Sequence, residues 1–534
     1  MAAHSAAPAA GVAAQESEGR ASVLWLFVGL MVTMLMASMN QTSLSTALPT
    51  IVGDLGGVEQ MSWVITGYIL ASTIMMPVYG RISDQLGRKP VLLTAIVLFM
   101  TGSVLGGLAA NIWWLVFARV VQGIGGGGLI ILAQAAIADV VPARERGKYM
   151  GIMGAVFAVS SVGGPLLGGW ITEGPGWRWV FWINLPLGVL SILATLAFLH
   201  LPKRPKSDAK TDYLGMTILA AATTAVVLVC TWGGHTYAWG SPQVIGLIVA
   251  AVLLAGAFVL CERRAEQPVI PLALFADRNF TVTTGAALLI GVAMFGAVGY
   301  FPTYLQMVTG VNATEAGLLM APMMGALLIA STISGAIVSR TGRYKAFPLA
   351  GALIMGVGLW LMASLTITSA TWWMCTVLAI FGVGIGFSMQ ILTLIVQNAF
   401  PNAIVGTATA ATNYFRQVGA SVGSAIVGSM FIARLHDLLA QRLPHLGKGG
   451  SGGAGNSLTP EKVSNLPDAI RIPVIESYNE ALLPIFMYMV PLAIVTFLLL
   501  LFVKEKPLAT VVEDEILAES LAEGQLVEMV DEKD

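Results

Sequence analysis

Fourteen apolar runs, each at least 20 residues long, divide this chain: 21–48, 61–82, 91–110, 112–137, 149–172, 179–200, 213–233, 242–261, 281–307, 314–338, 347–368, 372–396, 409–433 and 480–503. At 1.5 Å of rise per residue, about 20 apolar residues carry a helix across the hydrocarbon core of a bilayer. Only helices and closed barrels satisfy every backbone donor and acceptor there, and barrel strands take about 10 residues. The chain is therefore read as an all-α polytopic membrane protein with 14 transmembrane helices. Composition agrees: of 534 residues, 56% are hydrophobic and 11% charged, against about 25% charged in soluble domains. The 59 glycines suit close helix packing. A net charge of −1 gives no ground for nucleic-acid binding.

An even number of spans puts both termini on one side. Of 28 Lys and Arg, 20 lie in the tails or in the alternate loops from Arg81 to Lys345; the short loops on the other side hold only Arg178. Short loops carry the orientation signal, so both termini are expected in the cytoplasm. This gives an N-terminal tail over 1–20, an acidic tail over 504–534, and a long external loop over 434–479 with flexible Gly447–Gly455 at its centre. The flanks of that loop are expected to form short amphipathic helices. Cys230, Cys261 and Cys375 show neither disulfide pairing nor metal-ligand spacing and read as small buried hydrophobes.

The chain repeats itself. Gly80-Arg-Ile-Ser-Asp84-Gln-Leu-Gly87-Arg88-Lys89 closes the second span, and Gly335-Ala-Ile-Val-Ser-Arg340-Thr-Gly342-Arg343 closes the tenth, at an offset of 255. Pro49 and Pro302 recur at 253. Two homologous six-helix halves, 21–200 and 281–503, account for this, with an extra helix pair, 213–261, between them. Repeated halves around a central site are a common carrier design.

The Gly80–Lys89 stretch resembles the cytoplasmic signature of the Major Facilitator Superfamily. Arg119-Val-Val-Gln122-Gly123-Ile-Gly125 is similar to its fourth-helix signature, and Gly163-Gly164-Pro165-Leu-Leu-Gly168-Gly169 to the fifth-helix signature of its antiporters. Trp177-Arg178-Trp179-Val-Phe181-Trp-Ile183-Asn184-Leu-Pro186 and Ala47-Leu48-Pro49-Thr50-Ile51 resemble the fourteen-helix drug/proton antiporter branch, the EmrB/QacA type. The resemblance implies two six-helix bundles plus two extra helices in a bacterial cytoplasmic membrane. It also implies proton-coupled multidrug efflux of small amphipathic compounds by alternating access, powered by the proton gradient without a cofactor. The partners expected are substrate, bilayer and protons, and the chain is expected to act as a monomer.

Several residues are candidates on chemistry and position. Gly80 and Gly87 permit a short turn, while Asp84 and Arg88 can lock against helix ends, since acids suit N-termini and bases C-termini; the resemblance makes them a conformational gate, with Gly342 and Arg343 as counterparts. Ser339 stands where Asp84 does, so the second latch is expected to be weaker. Gly164 and Pro165 bend and pack the fifth span. Arg119 is an ionisable residue inside a span and therefore a functional candidate. Asn40 takes the position where many relatives carry Asp; it can bond Arg119 or a substrate but cannot carry a proton. No acid reads near a bilayer midplane. Glu315, just inside the tenth span, is the first choice for a protonation site, followed by Asp54 and Asp139. Arg416 either holds a neighbouring acid or snorkels. Met36, Met39, Asn40, Tyr68, Arg119 and Gln122 in the first half, and Phe387, Met389, Gln390, Asn413 and Phe415 in the second, are the expected substrate-binding residues: Met adapts to shape, aromatics take rings and cations, amides orient polar groups. Without a midplane acid, neutral, zwitterionic or weakly charged amphiphiles are favoured over cations. Export of an endogenous lipid or metabolite is the alternative, and a non-transporting sensor or scaffold the third reading. No nucleophile–base constellation, metal spacing or nucleotide-binding loop appears, so the chain is not read as an enzyme.

Overall fold

The computed structural model describes residues 7–55, 60–199, 212–234, 236–311, 313–443, 463 and 466–508, and side chains from Leu24 onward. Among the described residues, fourteen helices are long and apolar enough to cross a membrane. They are α1 (Leu24–Leu48, within a helix over Ala7–Leu55), α2 (Met61–Leu86), α3 (Arg88–Gly107), α4 (Ile112–Val140), α5 (Ala143–Glu173), α6 (Trp179–Phe198) and α7 (Tyr213–Trp232). After them come α8 (Pro242–Glu262), α9 (Arg278–Thr309), α10 (Glu315–Thr341), α11 (Ala346–Ala363), α12 (Thr371–Ala399), α13 (Val405–Arg442) and α14 (Asp468–Leu501). Among the described residues there is no β-strand, only an isolated bridge between Gly233 and Tyr237.

Local chemistry sets the helix starts. Asn111, Asp212 and Asp277 each accept the N–H three residues on, from Trp114, Gly215 and Phe280 at 2.8, 2.8 and 3.0 Å. These bonds satisfy donors that a helix N-terminus would otherwise leave in an apolar medium. Proline, which lacks an N–H, interrupts helices where expected: α9 breaks at Gly299–Tyr300 ahead of Pro302, and α10 at Met320 ahead of Pro322.

The helices group as the internal repeat requires. In the first half α1 packs on α5 and α6, and α4 on α2 and α3; in the second α9 packs on α13, α12 on α10 and α11, and α14 on α11 and α13. The halves meet along two seams, α2 with α13 and α10 with α5. These seams are copies of each other: the signature helix of each half lies against the fifth helix of the other. The extra pair is not central. α7 packs across α2 and α13, whereas α8 packs on α7, and only 6% of its most apolar stretch is buried. A helix that is apolar all round and exposed faces lipid.

One expectation on the loops is corrected. Instead of ending near 433, α13 continues to Arg442, and α14 begins at Asp468, well before 480. Over 434–442 and 468–479 the loop flanks are extensions of the spans, and Arg442 ties the two together through Glu480 at 2.7 Å and Glu476 at 3.6 Å. The run Gly447–Gly455, the first tail residues and the acidic tail beyond Leu508 lie outside the described residues.

Candidate functional site

A cavity of about 420 Å³ opens between the halves, within the range of small-molecule sites. Its walls are Gln41 from α1, Ser62, Thr66 and Ile69 from α2, Val227, Cys230 and Thr231 from α7, Phe295 and Tyr300 from α9, and the 417–425 stretch of α13. These residues lie toward one end of their helices, away from the face that carries Arg81, Arg88, Lys89, Arg144, Lys148, Arg340 and Lys345, hereafter the basic face. The wall is neutral and mixed, with hydroxyls and amides beside Ile69, Val227 and Phe295.

Toward the basic face the halves are sealed. Gln134 of α4 receives the Asn413 amide of α13 at 3.1 Å, and its carbonyl receives Gln397 of α12 at 3.3 Å. Below them, Asp84 accepts both the backbone N–H of Thr407 at 2.7 Å and its hydroxyl at 2.5 Å. Thr407 lies in the first turn of α13, so the carboxylate sits at a helix N-terminus, where negative charge is favoured. Arg88 clamps the same acid at 2.5 Å and holds Asp139 at 3.0 Å, and its own side chain is fully buried. The second seam repeats the design with weaker chemistry. Ser339, 255 residues on, accepts the N–H of Lys148 at 3.0 Å. Lys148 in turn corresponds to Thr407 at an offset of 259. A neutral hydroxyl replaces the carboxylate, and Arg343 is exposed at the surface instead of clamping it.

Two glycine crossings let the seams close. A side chain on Gly80 would run into Ala410 and the Gly406 backbone, and one on Gly335 into the Gly147 backbone. Gly87 and Gly342 end their helices with φ of 90° and 73°, a conformation that glycine adopts without Cβ strain. Gly164 and Pro165 have another setting. Gly164 abuts Thr42 of α1, so the motif packs α5 on α1 inside the first half and does not line a seam between halves.

The expected substrate residues lie elsewhere than in this cavity. Asn40, Tyr68, Arg119 and Gln122 form a closed polar core inside the first half. Arg119, 1% exposed, donates to Asn40 Oδ1 at 2.6 Å, Gln122 Oε1 at 2.5 Å and the Val64 carbonyl at 3.3 Å, and sits 4.1 Å over the Tyr68 ring. Gln122 passes the chain to Ser103 at 2.7 Å. Met36 is core, and Met39 faces a void of about 10 Å³ between α1, α5 and α6. In the second half Phe387 packs edge-on against Phe347 of α11, Phe415 against Phe275 on the outer side of α13, and Met389 against the core. Gln390 and Asn413 occupy the sealed seam; the Gln390 Oε1 is buried there without a hydrogen-bond partner. The cause is angular: one residue turns a helix face by about 100°, so Tyr68 points into α4 while Thr66 and Ile69 line the cavity.

The acids are also corrected. Glu315 is exposed, not buried in its span. Asp54 is exposed and lies beyond the span; the Trp177 indole at 3.0 Å, then Arg178 at 3.2 Å, hold its carboxyl below the usual range, so it stays ionised. Asp139 is buried against Arg88 in the latch. No Asp or Glu among the described residues lines the cavity. What could not be read from the sequence is the wall supplied by α7, since an inserted pair carries no repeat partner.

Two repeat-related helix bundles, sealed against each other at one face and open toward the other, define a membrane carrier. The family model of the Major Facilitator Superfamily matches residues 30–424, and the chain belongs to that superfamily. It is 41% identical over 93% of its length to the uncharacterized MFS-type transporter Rv1877 of Mycobacterium tuberculosis, covering 72% of that protein. It is 35% identical over 80% of its length to the multidrug transporter protein MdtP of Bacillus subtilis, covering 79% of that protein. It is 33% identical over 88% to multidrug resistance protein 3 of the same organism, covering 92%. Among solved structures it resembles the human organic anion transporter MFSD10 (TETRAN), with a TM-score of 0.60 at 15% identity, over 90% of this chain and 99% of that one. A second likeness is to a bacterial homolog of the human lysosomal transporter Spinster in an inward-facing, unoccupied conformation. Its TM-score is 0.55 at 17% identity, over 90% of this chain and 97% of that one. At these identities the structural likeness shows the fold.

Proposed function

We propose that the protein exports small amphipathic compounds by alternating access, with the basic face toward the bacterial cytoplasm and protons driving the cycle. The carrying observation is the cavity itself, open on one side and closed on the other by paired, repeat-related contacts. Relatives named as multidrug transporters support the choice of cargo. In this reading the structure is the outward state. Breaking the Asp84–Thr407 and Ser339–Lys148 contacts would separate the halves at the basic face and expose Gln390, Asn413 and Gln134 to incoming substrate. The proton acts at the latch, where Asp84 and Asp139 share Arg88. Neutralising either acid weakens a charge-assisted contact buried in low dielectric and biases the seam toward opening.

The test is transport by the full chain in proteoliposomes under an imposed pH gradient. Gradient-dependent uptake is expected, and Asp139→Asn should remove the dependence while transport driven by the substrate gradient persists. Transport unaffected by collapsing the pH gradient would overturn the coupling, and absence of transport across a panel of amphiphiles would overturn the export reading.

A further inference from the structure

Of the arginines set among the helices, Arg88, Arg119 and Arg146 are each held by several partners, Arg146 by the Val141 and Ala138 carbonyls. Arg88 has two carboxylates, and Arg119 has two amides, a carbonyl and an aromatic face. Arg416 differs. It stands 11 residues past Val405 on α13, about 16 Å along the helix and so near mid-depth. Its guanidinium donates to Asn413 Oδ1, and no Asp or Glu among the described residues forms an ion pair with it. Although it lies between the halves, its surface is only half-buried, so open space adjoins it. Asn413, Arg416, Gln417, Ala420 and Ser424 fall on one stripe of the helix, and Gln417, Ala420 and Ser424 line the cavity. A helical side chain leans toward its own N-terminus, here the basic face, so the guanidinium, which is not part of the cavity wall, lies on Asn413 beneath its inner end.

A cation at mid-depth with no counter-charge costs free energy that a ligand anion can recover. The guanidinium fork takes carboxylate, phosphate or sulfonate through paired N–H donors. Above it the wall offers Ile69, Val227 and Phe295 to an apolar body, with Val227 contributed by the inserted helix α7. We propose that this is an anion-headgroup site. Arg416 recognises the charged group of an amphipathic anion, and α7 closes the lipid side of the chamber around its apolar part. The proposal rests on the export reading and narrows its cargo to negatively charged amphiphiles.

The test uses the full chain and a matched pair of probes, dansyl-labelled undecanoate and its neutral methyl ester. In detergent the carboxylate should bind at least about tenfold more tightly than the ester, an affinity gap that fluorescence titration resolves. Arg416→Gln should bring the pair to parity, and Arg416→Lys should keep part of the preference. Equal affinities in the unaltered protein, or a preference that survives Arg416→Gln, would overturn the site. Should Arg416→Gln not fold, Cys230 reports instead. With Cys261→Ser and Cys375→Ser, the carboxylate and not the ester should slow modification of Cys230 by a thiosulfonate reagent, and no selective protection is disproof. Nanodiscs separate the sources of the anion. A preference lost in phosphatidylglycerol discs but kept in phosphatidylcholine discs identifies a bilayer headgroup as the occupant; one kept in both identifies a free amphiphile. Ester efflux from proteoliposomes is read separately, so undiminished ester transport without anion preference sinks this site and leaves the export reading standing.

Discussion

At the scale of single residues, the latch and the closed core of the first half make opposite use of arginine. Arg88 joins two carboxylates, with its own surface and those of Asp84 and Asp139 almost wholly removed from water. Removing the cation leaves two buried anions, and breaking a buried pair costs about 3–5 kcal/mol. Arg88→Met is therefore expected to lose that much in denaturant unfolding in micelles, while Asp139→Asn loses less because Asp84 still faces Arg88. A change below about 1 kcal/mol for Arg88→Met, the range of an ordinary surface substitution, would show that the triad is not a structural clamp. Arg119 instead rests on neutral groups. Asn40→Asp would put a carboxylate at the 2.6 Å contact that the amide now makes and restore an acid–base pair within the first half. Transport by Asn40→Asp is expected to gain a pH dependence that the unaltered protein lacks at this position. Superimposable pH profiles for the two proteins would show that the position is silent in coupling.

At the scale of helices, closure depends on backbones approaching where side chains would stand apart. Gly80 against Ala410 and Gly406, and Gly335 against Gly147, occupy equivalent points of the two seams. Gly80→Val should hold the first seam ajar and raise the population open at the basic face. Thr409, fully buried in the sealed seam, provides the readout. In a background with the three cysteines replaced by Ser, labelling of Thr409→Cys from the basic face should rise roughly tenfold with Gly80→Val, corresponding to about 1.4 kcal/mol of bias. Unchanged labelling would mean that the helices repack around the added side chain. This scale also marks how far the sequence was legible. Span count, repeat and glycine signatures rest on apolar periodicity and on backbone geometry that only certain residues permit, and those are local properties. The offset of 255 even foretold that Asp84 and Ser339 do unequal work. Which face of α2 or α13 meets the cavity depends on helix crossing and rotation, which are set by packing between elements far apart in sequence. Thus sequence chemistry points to Tyr68 and Phe415, while the less conspicuous Thr66 and Gln417 nearby are the residues that face the cavity. The role of α7 was hidden for the same reason, because nothing within Tyr213–Trp232 says which seam it covers.

At the scale of the whole molecule, two halves that move as bodies must each stay rigid while the seams open, and the second half carries a fastening of its own. Beyond α14 the chain turns back across the basic face. Lys504 exchanges two 2.8 Å bonds with the Asn279 side chain at the start of α9, and Glu505 accepts the Tyr344 N–H at 2.7 Å between α10 and α11. Lys506 gives its N–H to the Tyr344 hydroxyl at 2.6 Å and its ammonium to Asp277 at 3.1 Å, and Asn398 at the end of α12 reaches the Pro507 carbonyl at 3.3 Å. Burial raises the Tyr344 phenol above its ordinary range, so it stays protonated. Four residues, Lys504 to Pro507, thus tie the start of α9, the α10–α11 turn and the end of α12. Individual exposed contacts of this kind are worth about 0–1 kcal/mol, but the backbone bonds to Asn279 and Tyr344 are partly buried and act together. A chain ending at Phe502 is expected to lose about 2–4 kcal/mol in unfolding, with the loss confined to the second half. A chain ending at Leu508 retains every one of these bonds and should unfold like the full protein. Hydrogen exchange separates the outcomes. Amides of α9, α11 and α12 should lose protection in the shorter chain while α2 and α4 keep theirs. Equal exchange in both truncations would show that helix packing alone holds the second half rigid and that the turn-back segment is a passive exit for the chain.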